Sequence, residues 1–292
     1  MIAQNLQIVI LGLALGGVYA LMASGLTLIF GVMGIINLAH ASFMVIAAFI
    51  AWLAFEELGI DPILSIVITM PVMFLFGIAL YRLLFARAFG DPGRRGVMVL
   101  MTFALALVVE GTLGFFFSNI YRSTSPSYAS DAILIGPIFL PSGQLYAMLL
   151  SIVVLGGLWA FLKFSRTGYA IRATMHNRTA AEVVGVDVDR ISMLVFGIGM
   201  ALAGASGSVM SFVFSFYPSK HWEFVAILLS LVVLGGMGSL LGALIGALSL
   251  SVIAAFVSAS WGPTWSPVTF YLALFVILLL RPQGLLGKRP EL

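Results

Sequence analysis

The chain contains little charge and no cysteine. Only 9% of its 292 residues are charged, 62% are hydrophobic and the mean hydropathy is +1.16, whereas roughly a quarter of the residues of a soluble domain are charged. A single core could not bury this much apolar surface in water, so an ordinary globular enzyme is excluded and lipid is the expected solvent. The absence of cysteine excludes a disulfide framework and a thiolate metal site.

Motifs for nucleotide and metal binding are also missing. Among the lysines only Lys288 follows a glycine, and Arg289 stands where a phosphate-binding loop needs serine or threonine. The histidines, His40, His176 and His221, are too scattered for a metal-ligand motif. We therefore expect no catalytic residue, no metal site and no cofactor in this chain.

The sequence is instead rich in continuous apolar runs. A helix needs about 20 apolar residues to cross the hydrocarbon core, so a chain of this length with short loops holds roughly eight to ten spans. The runs do not alternate as membrane strands would, and we predict an all-α polytopic membrane protein forming one transmembrane domain over residues 1–292. The nine predicted spans cover about 6–30, 38–55, 62–81, 97–117, 144–162, 191–213, 224–235, 241–258 and 267–280.

The basic residues predict the orientation of these spans. Twelve of the fourteen lysines and arginines lie in the segments 82–95, 163–190 and 281–289, and such segments are typical of the cytoplasmic side. The acidic loop 56–61 then lies outside, which places the N-terminus outside and the C-terminus in the cytoplasm. The first run follows no basic residue, so we expect a retained span and not a signal peptide. The net charge of +3 reflects this topology and not nucleic-acid binding.

Two glycine-rich breaks occur beside apolar segments, one in each half of the chain. They are Phe30–Asn37 and Leu234–Ser239. Interrupted segments of this kind point to a midplane transport site, although glycine is also common where membrane helices pack. Asn37 could act as the N-cap of a helix that restarts after the first break. The candidate pathway residues here are Asn37, His40, Ser42, Gly235, Gly236 and Gly238.

Two polar residues inside apolar runs have alternative interpretations. Glu110 could line the pathway and attract an ammonium group, or it could be the buried partner of a hydroxyl or an ordinary residue near the outer third of its helix. Ser206, in Gly204–Gly207, resembles the serine motif of rhomboid intramembrane proteases. The one histidine that follows it, His221, lies in a polar loop. A helix-packing role is favoured for the neighbouring small residues Gly197, Ala201, Gly204 and Ser208.

The basic loop 163–190 contains the most probable contact surface for another protein. Its middle, Arg172–Gly185, predicts one short helix that ends at glycine, with Ala180, Ala181 and Val184 on one face and Arg178 paired with Glu182. Such a helix could dock into a partner's groove or lie on anionic lipid.

Several of these segments together resemble the permease subunits of bacterial ABC importers for branched-chain amino acids, a superfamily that includes ribose-type sugar permeases. The resemblance covers nearly the whole chain and is closest to the shorter of the two permease types. It rests on Gly25–His40, Arg166–Ala173, Ala180–Ala181 with Gly185–Val186, Val233–Ser239 and Arg281–Leu285.

The resemblance implies a bacterial inner-membrane subunit of an importer. Its expected partners are a second homologous permease, two ABC ATPases that bind ATP and Mg²⁺, and a periplasmic substrate-binding protein. The short helix of loop 163–190 would be the coupling helix, with Arg172, Asn177, Ala180, Ala181, Glu182 and Gly185 at the ATPase contact. Branched-chain or other hydrophobic amino acids are the implied cargo. The alternatives are an ATP-independent transporter or channel and an intramembrane serine protease.

Overall fold

The computed structural model describes residues 2–86, 92–136, 138–281 and 283–286. Arg87, Pro282, Lys288 and Arg289, which entered the sequence analysis, lie outside these ranges. The elements are α1 (Ile2–Met33), α2 (His40–Leu58), α3 (Ile66–Leu80), α4 (Arg95–Phe117), β1 (Ala132–Ile135), β2 (Ile138–Pro141), α5 (Ser142–Phe164), α6 (Arg166–His176), α7 (Arg178–Val183), α8 (Val188–Val213), α9 (His221–Gly235), α10 (Leu240–Trp261) and α11 (Ser266–Leu280).

Nine helices within the described ranges are long and apolar enough to cross a membrane, namely all but α6 and α7. This confirms the predicted all-α polytopic class and the predicted number of spans. A π-helical turn, Tyr81–Phe85, extends α3, and 3₁₀ turns at Pro218–Lys220 and Pro263–Trp265 precede α9 and α11. Most of these helices run a few residues beyond the predicted limits, because polar and aromatic residues at the interface continue the helix.

Helix α8 lies at the centre of the fold and packs against α1, α2 and α3. Glycines on different faces of α8 allow each neighbouring backbone to approach. An ideal Cβ on Gly207 would lie 2.7 Å from a backbone atom of α2, one on Gly204 would lie 2.6 Å from a carbonyl oxygen of α3, and one on Gly199 would lie 3.0 Å from a carbonyl oxygen of α1. Close backbone approach through small residues is the usual way in which membrane helices gain packing energy.

The peripheral helices α4, α5 and α11 present large apolar side chains at the surface. Phe116, Val153 and Leu279 are among the most exposed. In water such a surface would drive association, whereas in a bilayer it faces hydrocarbon. The exposed apolar surface is therefore the lipid-facing side of the bundle.

The segment between α4 and α5 adds a small antiparallel hairpin, β1–β2, which the sequence analysis did not predict. Leu134 pairs with Phe139, and the side-chain amide of Gln7 in α1 exchanges hydrogen bonds with the backbone of Phe139. Hairpin formation depends on this long-range partner because two short strands alone are marginally stable.

Candidate translocation and coupling sites

The first glycine-rich break is shifted from its predicted position. Gly31, Val32 and Met33 are still helical, and the chain leaves the helix at Gly34, whose φ of +65° is accessible to glycine. The break therefore covers 34–39 instead of Phe30–Asn37. The reason is that the N–H of Gly34 still donates to the carbonyl of Phe30, closing the last turn of α1.

Segment 34–39 runs back into the membrane. The imidazole of His40 packs against Gly25, where an ideal Cβ would lie 2.7 Å from its Cε1. Gly25 is six residues, or about 9 Å of helix rise, from Gly31 in the last turn of α1. The backbone N–H of Leu38 donates to Thr102 Oγ1 in α4 at 3.1 Å. Non-helical backbone at this depth is tolerated because it is enclosed by protein, and Ile35, Asn37 and Ala39 are buried.

The predicted N-cap role of Asn37 is wrong. Helix α2 begins at His40, and the cap residue, Ala39, has no side-chain cap. The Asn37 Oδ1 accepts from the N–H of Ala39 at 3.1 Å, which closes a local turn before the helix. Asparagine forms such turns because its short side chain reaches the backbone two residues ahead.

Three buried polar side chains at this break keep unpaired atoms. Asn37 Nδ2, both ring nitrogens of His40 and Ser42 Oγ find no hydrogen-bond partner among the described residues. The carbonyl of Met22 lies near the imidazole, but not in hydrogen-bond geometry. Unpaired buried polar groups are uncommon, and they concentrate at sites that bind water or a ligand.

The second break is a tight turn between α9 and α10. Helix α9 ends at Gly235, and Gly236 and Gly238 adopt φ values of +97° and +85°. The N–H groups of Leu285 and Leu286 donate to the carbonyls of Leu234 and Gly235. The segment that follows α11 therefore caps the open end of α9.

The last turn of α1 meets the second break at the end of the fold that carries loop 163–190. An ideal Cβ on Gly238 would lie 3.2 Å from Gly31 Cα, and the methyl group of Met175 in α6 lies directly over Gly31. A cleft of about 550 Å³ opens beside this junction and is also lined by Arg172 and His176. The loop predicted to contact an ATPase thus packs on the last turn of α1 and lines one cleft together with Gly34 and Gly238, a residue from each break. The sequence analysis missed Met175, since nothing in its local pattern indicates this long-range contact.

Glu110 lies on the side of the fold opposite to this junction. Its Oε2 accepts from Trp222 Nε1 at 2.9 Å and lies 3.8 Å from His221 Nε2. The carboxylate therefore links α4 to the beginning of α9, and it is not brought together with Asn37 and His40. A role for Glu110 in the pathway stays a prediction.

Ser206 has no catalytic geometry. Its hydroxyl donates to the Leu202 carbonyl at 2.7 Å, and His221 instead contacts Pro218 and Glu110. Two of the surrounding small residues, Gly197 and Gly204, face α3. The hydroxyl of Ser208 forms a hydrogen bond with Thr69, which also belongs to α3. Helix packing accounts for this motif.

The predicted coupling helix is two helices. The chain becomes extended at Asn177, with φ −153° and ψ 108°, so α6 ends at His176 and α7 begins at Arg178. The Asn177 side chain caps α7 by accepting from the N–H of Ala180 at 3.0 Å. The split therefore arises because asparagine serves as an N-cap in the middle of the predicted helix.

The end of α7 and its ion pair agree with prediction. The N–H of Val186 donates to the Ala181 carbonyl and that of Gly185 to the Glu182 carbonyl, with Gly185 at φ +88°. This is a Schellman motif. Arg178 Nε lies 3.1 Å from Glu182 Oε1.

The predicted apolar face of this segment is wrong. Ala181 is buried, whereas Ala180 and Val184 are exposed. The reason is that α7 ends at Val183, so Val184 leaves the helical repeat. We call Val183 and Val184 the valine pair; they are 82% and 77% exposed.

Arg122, between α4 and β1, is a further residue that sequence reasoning did not single out. Its guanidinium lies 4.3 Å from the centre of the Trp52 ring and donates to the Phe117 carbonyl. Its backbone forms a two-way bridge with Phe216. The signal available in the sequence was that this cation stands alone among the loops predicted to lie outside.

Non-helical backbone enclosed by protein, nine helices of membrane-spanning length in the described ranges and a short helical surface at one end define a polytopic membrane permease. Residues 8–280 match the family described as branched-chain amino acid transport system, permease component. The chain belongs to this family. The prediction of an inner-membrane, multi-pass permease subunit of an ABC importer is thereby confirmed, and the protease and ATP-independent interpretations are set aside. As a permease component, the chain is a transport subunit.

Individual relatives match over nearly the whole length. The chain is 27% identical to the high-affinity branched-chain amino acid transport system permease protein BraD of Pseudomonas aeruginosa, covering 99% of this chain and 98% of BraD. It is 28% identical to the corresponding LivH protein of Escherichia coli, covering 96% and 94%. Among solved structures, PsaBC from Streptococcus pneumoniae in complex with Fab matches with a TM-score of 0.50 and 15% identity over 97% of each chain. This last likeness concerns the fold alone.

Proposed function

We propose that this chain and a second homologous permease form the translocation pathway of an importer for branched-chain or other hydrophobic amino acids. Two ABC ATPases, which bind ATP and Mg²⁺, drive transport, and a periplasmic binding protein delivers the cargo. The names of BraD and LivH support the choice of branched-chain amino acids. The N-terminus lies outside and the C-terminus in the cytoplasm, as the nine spans and the basic segments favour.

The observation that carries the proposal is the exposed valine pair on the basic loop. Two large aliphatic side chains stand in water at the end of a helix with a capped start and a Schellman end. A rigid apolar projection surrounded by polar residues is typical of a helix that docks into a groove. This surface is formed or bordered by Arg172, Asn177, Ala180, Glu182 and Gly185. Ala181 is buried beneath the surface and holds it against the rest of the protein.

The pathway itself runs past the two glycine-rich breaks. Asn37, His40 and Ser42 supply polar groups at membrane depth, and Gly235, Gly236 and Gly238 supply a turn that can change conformation without side-chain clashes. Glu110 lies near the outer entrance. Met175 connects the ATPase-docking loop to the end of α1 and to the cleft beside both breaks, which supports coupling between ATP binding and the facing of the pathway.

Replacement of the valine pair tests the docking surface. Val183→Asp with Val184→Asp places two charges in the proposed apolar contact, so the ATPases should no longer co-purify with the permease from detergent solution. The matched control is Leu134→Asp on the outer hairpin, a comparably exposed residue at 73%. Retention of the ATPases by the double variant would contradict the proposed contact.

The cargo is tested with the substrate-binding protein of the proposed complex and with reconstituted vesicles. Leucine, isoleucine or valine should raise the melting temperature of that binding protein, and the complete complex should accumulate the same amino acid when ATP is supplied. If no aliphatic amino acid stabilises the binding protein, the cargo assignment fails.

A further inference from the structure

Asn37 and His40 face a common cavity between the start of α2, α1 and α9. Both side chains are fully buried, and Asn37 Nδ2 and the two imidazole nitrogens lack partners among the described residues. The opposite walls are apolar. They consist of Leu26, Leu38, Ala41, Val225, Leu228 and Leu229.

This lining is suited to a particular class of solute. The amide N–H groups are donors, and a neutral imidazole offers one donor and one acceptor, so the pair matches both the carboxylate and the ammonium group of an amino acid. Within the described part of the chain, no aspartate, glutamate, lysine or arginine lines the cavity. A charged cargo side chain would therefore find no counter-ion, whereas an aliphatic one would contact leucine and valine.

We propose that this cavity is the closed form of a binding site for a zwitterionic aliphatic amino acid. Asn37 and His40 bind the main-chain groups, and the α1 and α9 side chains contact the aliphatic chain. This inference rests on the proposed function, and it identifies where along the pathway the cargo is held. Neither side chain carries a formal charge, so the charged groups of the cargo are held by hydrogen bonds and not by ion pairs, which suits a site that must release its cargo.

The site is closed in this conformation. Its volume is about 10 Å³, room for one water molecule and not for an amino acid. Val225, Leu228 and Leu229 all belong to α9, so cargo can enter only when α9 moves away from α1 and α2. The glycine turn at the end of α9 provides the hinge for this movement.

Substitution of His40 tests the polar half of the site. His40→Leu keeps a similar volume but removes both nitrogens, whereas His40→Gln keeps a donor and an acceptor. In vesicles with the complete complex and leucine-loaded binding protein, His40→Leu should transport about tenfold more slowly than wild type, a loss consistent with one hydrogen bond to a charged group. His40→Gln should retain most activity, and both variants should keep the wild-type melting temperature.

Two results would overturn the assignment. One is wild-type transport by His40→Leu. The other is equal loss in both variants together with a lower melting temperature, which would show that His40 only packs against Gly25.

The absence of native cysteine allows a direct test of access. Ala41→Cys places a thiol in the cavity wall. It should react with methanethiosulfonate ethylammonium only when ATP is supplied, and free leucine should slow the reaction while free lysine does not. Ser206→Cys, buried but outside the cavity, is the control and should stay unlabelled.

The site would be rejected if Ala41→Cys reacted at the same rate with and without leucine. It would also be rejected if Ala41→Cys did not react during turnover. These failures are distinct from failure of the proposed function. If the wild-type complex moves no aliphatic amino acid, the function is wrong; if it does so but the His40 and Ala41 variants behave like controls, only the site is wrong.

Discussion

Gly25 shows how single residues position the polar groups of this fold. Its hydrogen leaves room for two neighbours, because an ideal Cβ would lie 2.7 Å from both the Gly199 carbonyl oxygen and the His40 imidazole. The same glycine therefore allows α1 to pack against α8 and fixes the depth of His40.

Gly25→Ala should destabilise the protein by about 1–3 kcal/mol, since the added methyl group meets backbone that cannot rotate away. The matched control is Gly111→Ala in α4, where a Cβ would meet nothing within 4 Å. That variant should be stabilised by about 0.5–1 kcal/mol through the better helix propensity of alanine. Thermal unfolding in detergent measures both, and equal melting temperatures for the two variants would refute the close contact.

The types of residue along the chain predicted some of these packing contacts correctly. The apolar context of Gly197, Gly204 and Ser208 indicated helix packing, and their contacts with α3 agree. The exact role of Asn37 could not be predicted, because whether an asparagine caps a helix or closes a turn depends on where the next helix begins. That position is set here by long-range contacts of His40 and Leu38.

At the scale of elements, the stability of helix α7 in the basic loop depends on its caps more than on its length. Helix α7 has six residues, and isolated helices this short are unstable in water. Its stability comes from the Asn177 cap, the Schellman end and the packing of Ala181.

Asn177→Ala should therefore weaken ATPase binding about fivefold, because loss of an N-cap costs about 1 kcal/mol. Asn177→Asp should bind nearly as well as wild type, since aspartate accepts the same backbone hydrogen bond. Titration of purified permease with ATPase gives both dissociation constants. Equal weakening by alanine and aspartate would mean that the Asn177 amide contacts the ATPase directly.

At the scale of the whole molecule, chain direction alternates through nine spans. The described basic segments consequently fall at one end of the bundle together with both glycine-rich breaks, whereas Arg122 and Lys220 fall at the other. An odd number of spans places the two termini on opposite sides of the membrane.

Because the chain lacks cysteine, single thiols can map this orientation. Ser130→Cys, near the outer hairpin, should react with a membrane-impermeant maleimide in intact spheroplasts. Thr179→Cys, on α7, should react only after lysis. Both native side chains are exposed, so the lysed sample controls for reactivity, and labelling of Thr179→Cys in intact spheroplasts would reverse the orientation.

The sequence by itself determined the solvent, the number of spans and the membership of the family. These follow from the scarcity of charge, from runs of about 20 apolar residues and from ordered motifs, all of which are local along the chain. Only the tertiary structure decided that α2 begins inside the membrane, that Met175 packs over Gly31 where α1 meets the second glycine-rich break, and that Glu110 binds Trp222. Each of these joins residues far apart in sequence, and such pairings depend on how packed helices share space.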